Sequence, residues 1–204
     1  IILVYSGLWY CLRNLLQVYV DKKVAANLIA LSNCLLIIFI YLMNYINLFS
    51  KLDLYYNHFR YITVLSHSYY IYDLINYSFF KLNDWKMIIH HLLSIIIITS
   101  ARSIPLIQDV LLWIEISNIP LYISYHLIKT SFNYKLINLS IMIQKFVYIF
   151  IRILVIGFLI IDYFGTKYLD SPKNFRVNYI ELCCLLIYII GFIYSISLIK
   201  QQKN

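Results

Sequence analysis

Two adjacent histidines, His90 and His91, lie a few residues inside a strongly apolar run of the sequence. Ionisable side chains within a membrane span are costly, and they usually face a protein interior or a water-filled cavity. An imidazole takes up and releases a proton near neutral pH, as general acid–base catalysis requires. The pair is therefore the first candidate for a chemical site.

Asp73 is the acidic partner that the sequence offers to these histidines, because it lies near the end of the preceding apolar run. At a rise of about 1.5 Å per residue, Asp73 and His90 would lie roughly 6 to 10 Å below the same face of a helical bundle. Successive helix residues project about 100° apart, so we expect one histidine to face the interior and the other a neighbouring helix. We predict that His90, His91 and Asp73 are catalytic residues.

A second polar set follows in the next apolar run, where Glu115, Asn118, Tyr122 and Tyr125 have the spacing i, i+3, i+7 and i+10. This spacing predicts one polar stripe along a helix face. Such a stripe would line a binding site inside the bundle. We predict that Glu115, Asn118 and Tyr122 contact the substrate, together with Ser94, the hydroxyl residue that follows the histidines.

The run after that carries Lys145, Tyr148 and Arg152, again at i, i+3 and i+7. Glu115 and Arg152 would lie at similar depth, so we expect a buried ion pair that neutralises both; a purely structural pair that fixes helix register is the alternative. Lys145 and Arg152 complete the predicted substrate-binding set. The alternative for Lys145 is that its side chain extends back to the membrane interface.

The composition indicates a membrane protein with several spans. The chain is 62% hydrophobic and 13% charged, whereas soluble domains are about half apolar with about a quarter charged. Its net charge of +8 comes from basic residues at the ends of apolar runs and in short connections. That distribution is typical of membrane anchors and topology signals, and we expect no nucleic-acid partner.

The four cysteines are Cys11, Cys34, Cys183 and Cys184, and all lie in apolar runs. Their positions lack the spacing of zinc ligands or of a disulfide framework. We therefore predict no metal site, and expect these residues to face lipid or to pack between helices.

The predicted fold is all-α, a polytopic transmembrane bundle of about seven spans, because each span needs roughly 20 apolar residues. The predicted spans are residues 1–20, 24–45, 61–80, 86–103, 106–128, 137–163 and 178–199. Only residues 47–60 and 164–177 form longer connections. Short connections elsewhere make consecutive helices antiparallel neighbours.

The distribution of lysine and arginine predicts the orientation. One side of the predicted bundle holds eight such residues and the other holds six. The eight are Lys22, Lys23, Lys81, Lys86, Lys129, Lys135, Lys200 and Lys203. Because the cytosolic side carries the excess, this count predicts a cytosolic carboxyl end, with the histidine pair near the cytosolic face.

Four sequence segments together resemble the TLC-domain family. They are Tyr72-Asp73-Leu74, residues 85–94 (WKMIIHHLLS), residues 115–120 (EISNIP) and residues 150–152 (FIR). The TLC domain is a membrane domain shared by translocating-chain-associated membrane proteins, ceramide synthases and several lipid-homeostasis proteins. The resemblance covers roughly residues 21–199. It implies an N-terminal transmembrane helix over 1–20 and a TLC domain of six spans over 21–204.

The resemblance implies a function in membrane lipid metabolism or homeostasis, in the endoplasmic reticulum or another endomembrane. Lipid or acyl chains would bind in an intramembrane chamber near the histidine pair, which we expect to open towards the cytosol. Ceramide synthases carry a further HD-x-x-D motif. Laid onto this chain, its acids fall on Asn118 and Leu121, so the sequence is more similar to the small TLC-domain proteins.

Two alternative functions stay open. The first is a ceramide-synthase-like sphingosine N-acyltransferase, which would use a sphingoid base with acyl-CoA as co-substrate and no other cofactor. The second is a proton-coupled transporter, in which His90, Asp73, Glu115 and Lys145 would titrate in turn.

Overall fold

The computed structural model describes residues 1–45, 58–79, 85–100, 105–170 and 177–200. All regular structure within these ranges is helical. The seven helices are α1 (Ile2–Leu16), α2 (Lys22–Tyr45), α3 (His58–Phe79), α4 (Trp85–Ser100), α5 (Pro105–Lys129), α6 (Tyr134–Asp170) and α7 (Tyr179–Lys200). The predicted all-α bundle is confirmed, and each predicted span corresponds to one of these helices.

The end of α6 differs from the prediction, because residues 164–170 continue the helix instead of forming a connection. Thr166 Oγ1 donates to the carbonyls of Asp162 and Tyr163, at 3.0 and 2.9 Å, which keeps this turn helical. Lys167 Nζ then reaches the buried carboxylate of Glu181 on α7, at 2.6 and 2.7 Å. The predicted connection over 47–60 lies mostly outside the described residues; residues 58–60 already belong to α3.

Several of the described helices begin at side-chain caps, among them α2 and α6. Asp21 Oδ1 accepts hydrogen bonds from the backbone nitrogens of Lys23 and Val24, at 2.7 and 3.1 Å, immediately before α2. Asn133 caps α6 in the same way through the nitrogen of Lys135, at 2.9 Å. Each cap satisfies backbone donors that have no partner within the helix.

Two hydrophobic clusters hold the bundle together. In the first, α1 to α5 meet around buried residues such as Ile29, Ile37 and Ile98. In the second, α4 to α7 meet around residues such as Ile107 and Ile187. Since α4 and α5 contribute to both clusters, they form the centre of the bundle.

Polar contacts as well as apolar packing hold α1 against α3. Ser6 Oγ donates to the Ser68 carbonyl at 2.9 Å, and Trp9 Nε1 donates to Ser68 Oγ at 3.3 Å. One turn further along α1, the buried guanidinium of Arg13 donates to Asn76 Oδ1. The side of α1 that carries Ser6, Trp9 and Arg13 therefore packs against α3. Its contact at Asn76 is three residues after Asp73 in the sequence.

The exterior of the bundle carries large apolar side chains, including Leu3 (76% exposed), Phe146 (70%) and Ile161 (73%). Among the described residues, Lys22–Met43 and Tyr134–Asp170 are long and apolar enough to cross a membrane, and Ile88–Thr99 and Glu181–Ile196 are shorter apolar helices. An apolar exterior is what a hydrocarbon environment requires of a helical bundle. The chain is an integral membrane protein with a helical bundle.

A π-helical segment, Phe150–Val155, interrupts the α-helical geometry of α6. Tyr188 on α7 donates its hydroxyl to the carbonyl of Ile153 at 3.3 Å. Gly157 leaves space for this tyrosine, because a Cβ there would lie 2.8 Å from the hydroxyl oxygen. Single π-helical turns occur often at functional sites, and this one carries Arg152.

Candidate functional site

A cavity of about 510 Å³ lies inside the bundle, and we call it the chamber. Its walls come from α2 to α7, whereas α1 contributes none of the described lining residues. They are Lys23, Ala26, Asn27, Ala30, Tyr69, Tyr70, Asp73, His90, His91, Glu115, Asn118, Leu121, Tyr122, Tyr125, Tyr148, Arg152, Ile190, Gly191 and Tyr194.

The chamber lies towards one end of the bundle. Its lining includes Lys23 at the start of α2, Asp73 late in α3, His90 early in α4 and Tyr194 late in α7. In an antiparallel bundle, the starts of α2 and α4 and the ends of α3, α5 and α7 share one face. This is the face for which the sequence predicts a cytosolic location.

Asp73 and His91 are in contact across the junction of α3 and α4. His91 Nε2 lies 2.9 Å from Asp73 Oδ2, and the two side chains are 4% and 16% exposed. The ring of Tyr70 lies beside the imidazole, with 5.2 Å between centroids. The expected contact between Asp73 and a histidine is therefore confirmed; the catalytic roles stay predictions.

Both histidines line the chamber, and His91 also contacts the neighbouring helix α3, as we expected of one histidine of the pair. Their ring centroids are 5.5 Å apart. Neighbouring side chains on a helix point about 100° apart. The chamber is bounded by six helices and is wide enough for both histidines to lie in its wall. His91 is buried against Asp73, whereas the His90 residue is partly exposed.

Glu115 is buried on α5 and accepts hydrogen bonds from two other helices. Cys34 Sγ on α2 donates to its Oε2 at 2.8 Å, and the Tyr70 hydroxyl on α3 donates to its Oε1 at 3.2 Å. Buried carboxylates need such donors, since an unsatisfied charge in a low-dielectric interior is costly. We expected the cysteines to face lipid or to pack between helices. Cys34 is buried between helices, whereas Cys11 is exposed on the outside of the bundle.

Arg152 does not pair with Glu115, and this prediction is wrong. Its Nε donates to Ser117 Oγ at 2.9 Å and its Nη2 to Asn118 Oδ1 at 3.0 Å, both on α5. The guanidinium also lies over the Tyr148 ring, 5.1 Å from the centroid. Depth estimates from the sequence fix height along a helix but not rotation around it, and the π-helical segment changes that rotation.

The predicted polar stripe on α5 is confirmed, because Glu115, Asn118, Tyr122 and Tyr125 all line the chamber. Tyr148 and Arg152 do the same from α6. Lys145 lies outside the described lining and is partly buried. Ser94 is buried, donates to the His90 carbonyl at 2.8 Å and borders a smaller cavity of about 30 Å³. A role in binding substrate stays a prediction for all of these residues.

Several lining residues were not predicted. Tyr70 lies three residues before Asp73, and this i, i+3 spacing would have placed it on the same helix face. Asn27 was a recognisable polar residue in an apolar run; its Nδ2 donates to the Tyr122 carbonyl at 2.9 Å. Gly191 carries no comparable signal. Within the ranges that the structure describes, no group of three or more His, Cys, Asp or Glu side chains could hold a metal ion.

A family model, the TLC domain, matches residues 25–200. The match therefore includes every lining residue of the chamber except Lys23. No curated protein and no solved structure matched the chain in the other two comparisons.

Proposed function

The chain belongs to the TLC-domain family, and on that premise we propose that it binds a membrane lipid in the chamber and acts in membrane lipid metabolism or homeostasis. The family is associated with lipid-related functions in membranes. The histidine pair lies in the wall of the bound lipid's site. The protein resides in the endoplasmic reticulum or another endomembrane, with its carboxyl end and the chamber's face towards the cytosol.

The observation that carries this proposal is the chamber itself. Its volume of about 510 Å³ falls within the range of roughly 300 to 1,000 Å³ of small-molecule sites. Residues packed for stability alone leave few voids larger than a water molecule. A membrane protein that maintains a chamber of this size, with both apolar and polar side chains in its wall, supports binding of an amphiphile, whose polar group the polar side chains accommodate.

A second candidate function is acyl transfer to the amine of a sphingoid base, and the contact between Asp73 and His91 favours it. In this reaction the amine attacks the thioester carbonyl of acyl-CoA, the amide bond forms and the carbon–sulfur bond breaks. An imidazole takes the amine proton, which leaves with the CoA thiol. His90 lines the chamber beside His91, with 5.5 Å between the ring centroids, and is the candidate base, with His91 and Asp73 orienting it.

Ser117 and Asn118 argue against this second function. They stand where the resemblance to ceramide synthases would place the HD pair, and both hold Arg152 instead. Incubating the purified full chain with a sphingoid base and acyl-CoA of several chain lengths decides the matter. Amide product that disappears in both His90→Ala and His91→Ala would establish the transferase; absence of product at every chain length would exclude it.

Lipid binding is tested by obstructing the chamber. Ala26 lines it and is partly exposed, so Ala26→Trp fills space with little strain on the core. Leu35 lies on the outside of the same helix, 51% exposed, and Leu35→Trp is the matched control. We expect Ala26→Trp to lose capture of a photoactivatable lipid, and Leu35→Trp to retain it. Equal capture by both variants would contradict binding in the chamber.

A further inference from the structure

Arg152 lacks the partner that a buried cation normally has. It is 5% exposed, within a helix that is long and apolar enough to cross a membrane. Buried charges in proteins are usually paired with an opposite charge or bound to a ligand. Here the hydrogen-bond partners of the guanidinium, Ser117 and Asn118, are neutral acceptors. Among the described residues, no carboxylate lies within ion-pair distance of Arg152.

The two acidic residues of the chamber wall are engaged elsewhere. Glu115 accepts hydrogen bonds from Cys34 and Tyr70. Asp73 contacts His91. Each carboxylate is thus held by donors or a histidine from α2, α3 or α4, and neither lies within ion-pair distance of the cation on α6. Arg152 is left as a positive charge facing the chamber.

The guanidinium also retains hydrogen-bonding capacity. It has five N–H donors in a planar fork, and Ser117 and Asn118 account for two of them. Gly191 on α7 lies beside this side chain, because an added Cβ would lie 3.9 Å from Nη1 of Arg152. A glycine at this position leaves that edge of the guanidinium uncovered. The fork geometry of arginine matches carboxylate and phosphate oxygens, which it can bind through two parallel hydrogen bonds.

The surrounding contacts hold the cation in position for a ligand. Ser117 Oγ accepts from Arg152 and donates to the Ile114 carbonyl at 2.6 Å, so its orientation is fixed. The Tyr148 ring supports the guanidinium from α6 itself. A preorganised donor loses little freedom when it binds, which favours specific recognition.

From these contacts we propose that Arg152 binds the anionic oxygens of the headgroup of the chamber's lipid, a phosphate monoester or a carboxylate. This assignment rests on the proposed function, since it concerns the same chamber, and it narrows the ligand to anionic amphiphiles. The bound anion would place a negative charge within ion-pair distance of Arg152, where the described protein residues place none.

The test compares four probes on the purified, delipidated full chain in an uncharged detergent. They are oleoyl lysophosphatidate, oleate, neutral monoolein with the same acyl chain, and inorganic phosphate. We expect both anionic lipids to bind at least about tenfold more tightly than monoolein, because hydrogen bonds to charged groups are the stronger ones. We expect inorganic phosphate to bind much more weakly than lysophosphatidate.

Variants separate recognition from folding. Arg152→Gln should reduce the preference for anionic lipids to less than about twofold, with monoolein affinity unchanged. The melting temperature of the lipid-free variant should not fall, because an unpaired buried charge is removed. Arg152→Lys should retain part of the preference. Lys135→Gln removes one charge from an exposed position of the same helix, and should leave the preference intact.

Each contrary result has its own meaning. Equal affinity of the wild type for monoolein and both anionic lipids would overturn the role of Arg152 while lipid binding stands. Inorganic phosphate that binds as tightly as lysophosphatidate would overturn a lipid source for the anion. A melting temperature of Arg152→Gln that falls together with all binding would show a structural role. Failure of all three lipids to bind the wild type would reject the proposed function itself.

Discussion

The imidazole of His91 and the carboxylate of Asp73 meet 2.9 Å apart at the junction of α3 and α4, in the wall of the chamber. Each side chain is largely buried there, so each loses hydration that the other must replace. The contact joins the two helices at the depth where His90 enters the chamber. It connects helix packing directly with the candidate site.

This contact predicts energetic coupling between the two residues. We expect Asp73→Ala and His91→Ala to show a coupling free energy of about 1 to 3 kcal/mol in a double-mutant cycle, since a charged hydrogen-bonding partner is removed from a buried group. The measurement is reversible unfolding in detergent. His91→Ala combined with Asp162→Ala, an exposed position on α6, is the control and should be additive. Additivity of the Asp73 and His91 variants would contradict the contact.

The π-helical segment of α6 predicts a dependence on Gly157 and Tyr188. Gly157→Ala places a Cβ 2.8 Å from the Tyr188 hydroxyl, and we expect overpacking to cost about 1 to 3 kcal/mol. In the Tyr188→Phe background the same substitution should cost clearly less, because the obstructing oxygen is gone. Unfolding of the wild type, the two single variants and the double variant gives the free-energy cost of Gly157→Ala with and without the Tyr188 hydroxyl.

Gly165 provides the matched control on the same helix, because no atom lies within 4 Å of a Cβ added there. Gly165→Ala should stabilise the helix by up to about 1 kcal/mol, as expected for a glycine replaced within a helix. Equal effects of Gly157→Ala with and without the Tyr188 hydroxyl would contradict the proposed packing.

Asp21 predicts a dependence of stability on pH. Backbone hydrogen bonds from Val24 and Lys23 lower the pKa of this exposed carboxyl below its ordinary value of 3.8. A lowered pKa in the folded state stabilises the protein above the unfolded pKa, and the stabilisation is lost as pH falls through the folded value. The difference in melting temperature between wild type and Asp21→Asn should therefore shrink as pH falls below about 3.8.

Asp21→Ala completes this comparison, since alanine removes the cap altogether, whereas asparagine retains an acceptor. It should be less stable than Asp21→Asn at every pH at which the protein folds. A constant difference between wild type and Asp21→Asn from neutral pH to below 3.8 would contradict the role of the carboxylate charge.

The sequence was sufficient for the fold and for the position of the histidine site. Long apolar runs set the helices, and the rise per residue placed Asp73 and the histidines at one depth. The i, i+3, i+7 pattern correctly grouped Glu115, Asn118 and Tyr122 on one face. These are properties of single helices or of helices joined by short connections, and local periodicity determines them.

The hydrogen-bond partners of the buried charged side chains could not be predicted from the sequence. Arg152 binds Ser117 and Asn118 instead of Glu115 because a π-helical segment, which no residue pattern signalled, sets its rotation. Glu115 is held by Cys34, a residue 81 positions away in the sequence. Tyr70 was hidden among 21 tyrosines, although its spacing from Asp73 would have identified it. Such choices depend on packing between helices that are distant in sequence.

Mapping the covalent attachment site of a photoactivatable lipid on the full chain tests lipid binding in the chamber most directly. The probe carries its reactive group next to the polar head, and mass spectrometry identifies the labelled peptides. We predict that labels fall on the chamber wall, on peptides containing His90, Tyr122 or Tyr194, and that excess unlabelled lipid prevents them. Labels confined to exterior positions such as Phe146 and Ile161, with the chamber peptides unmodified, would contradict the proposed function.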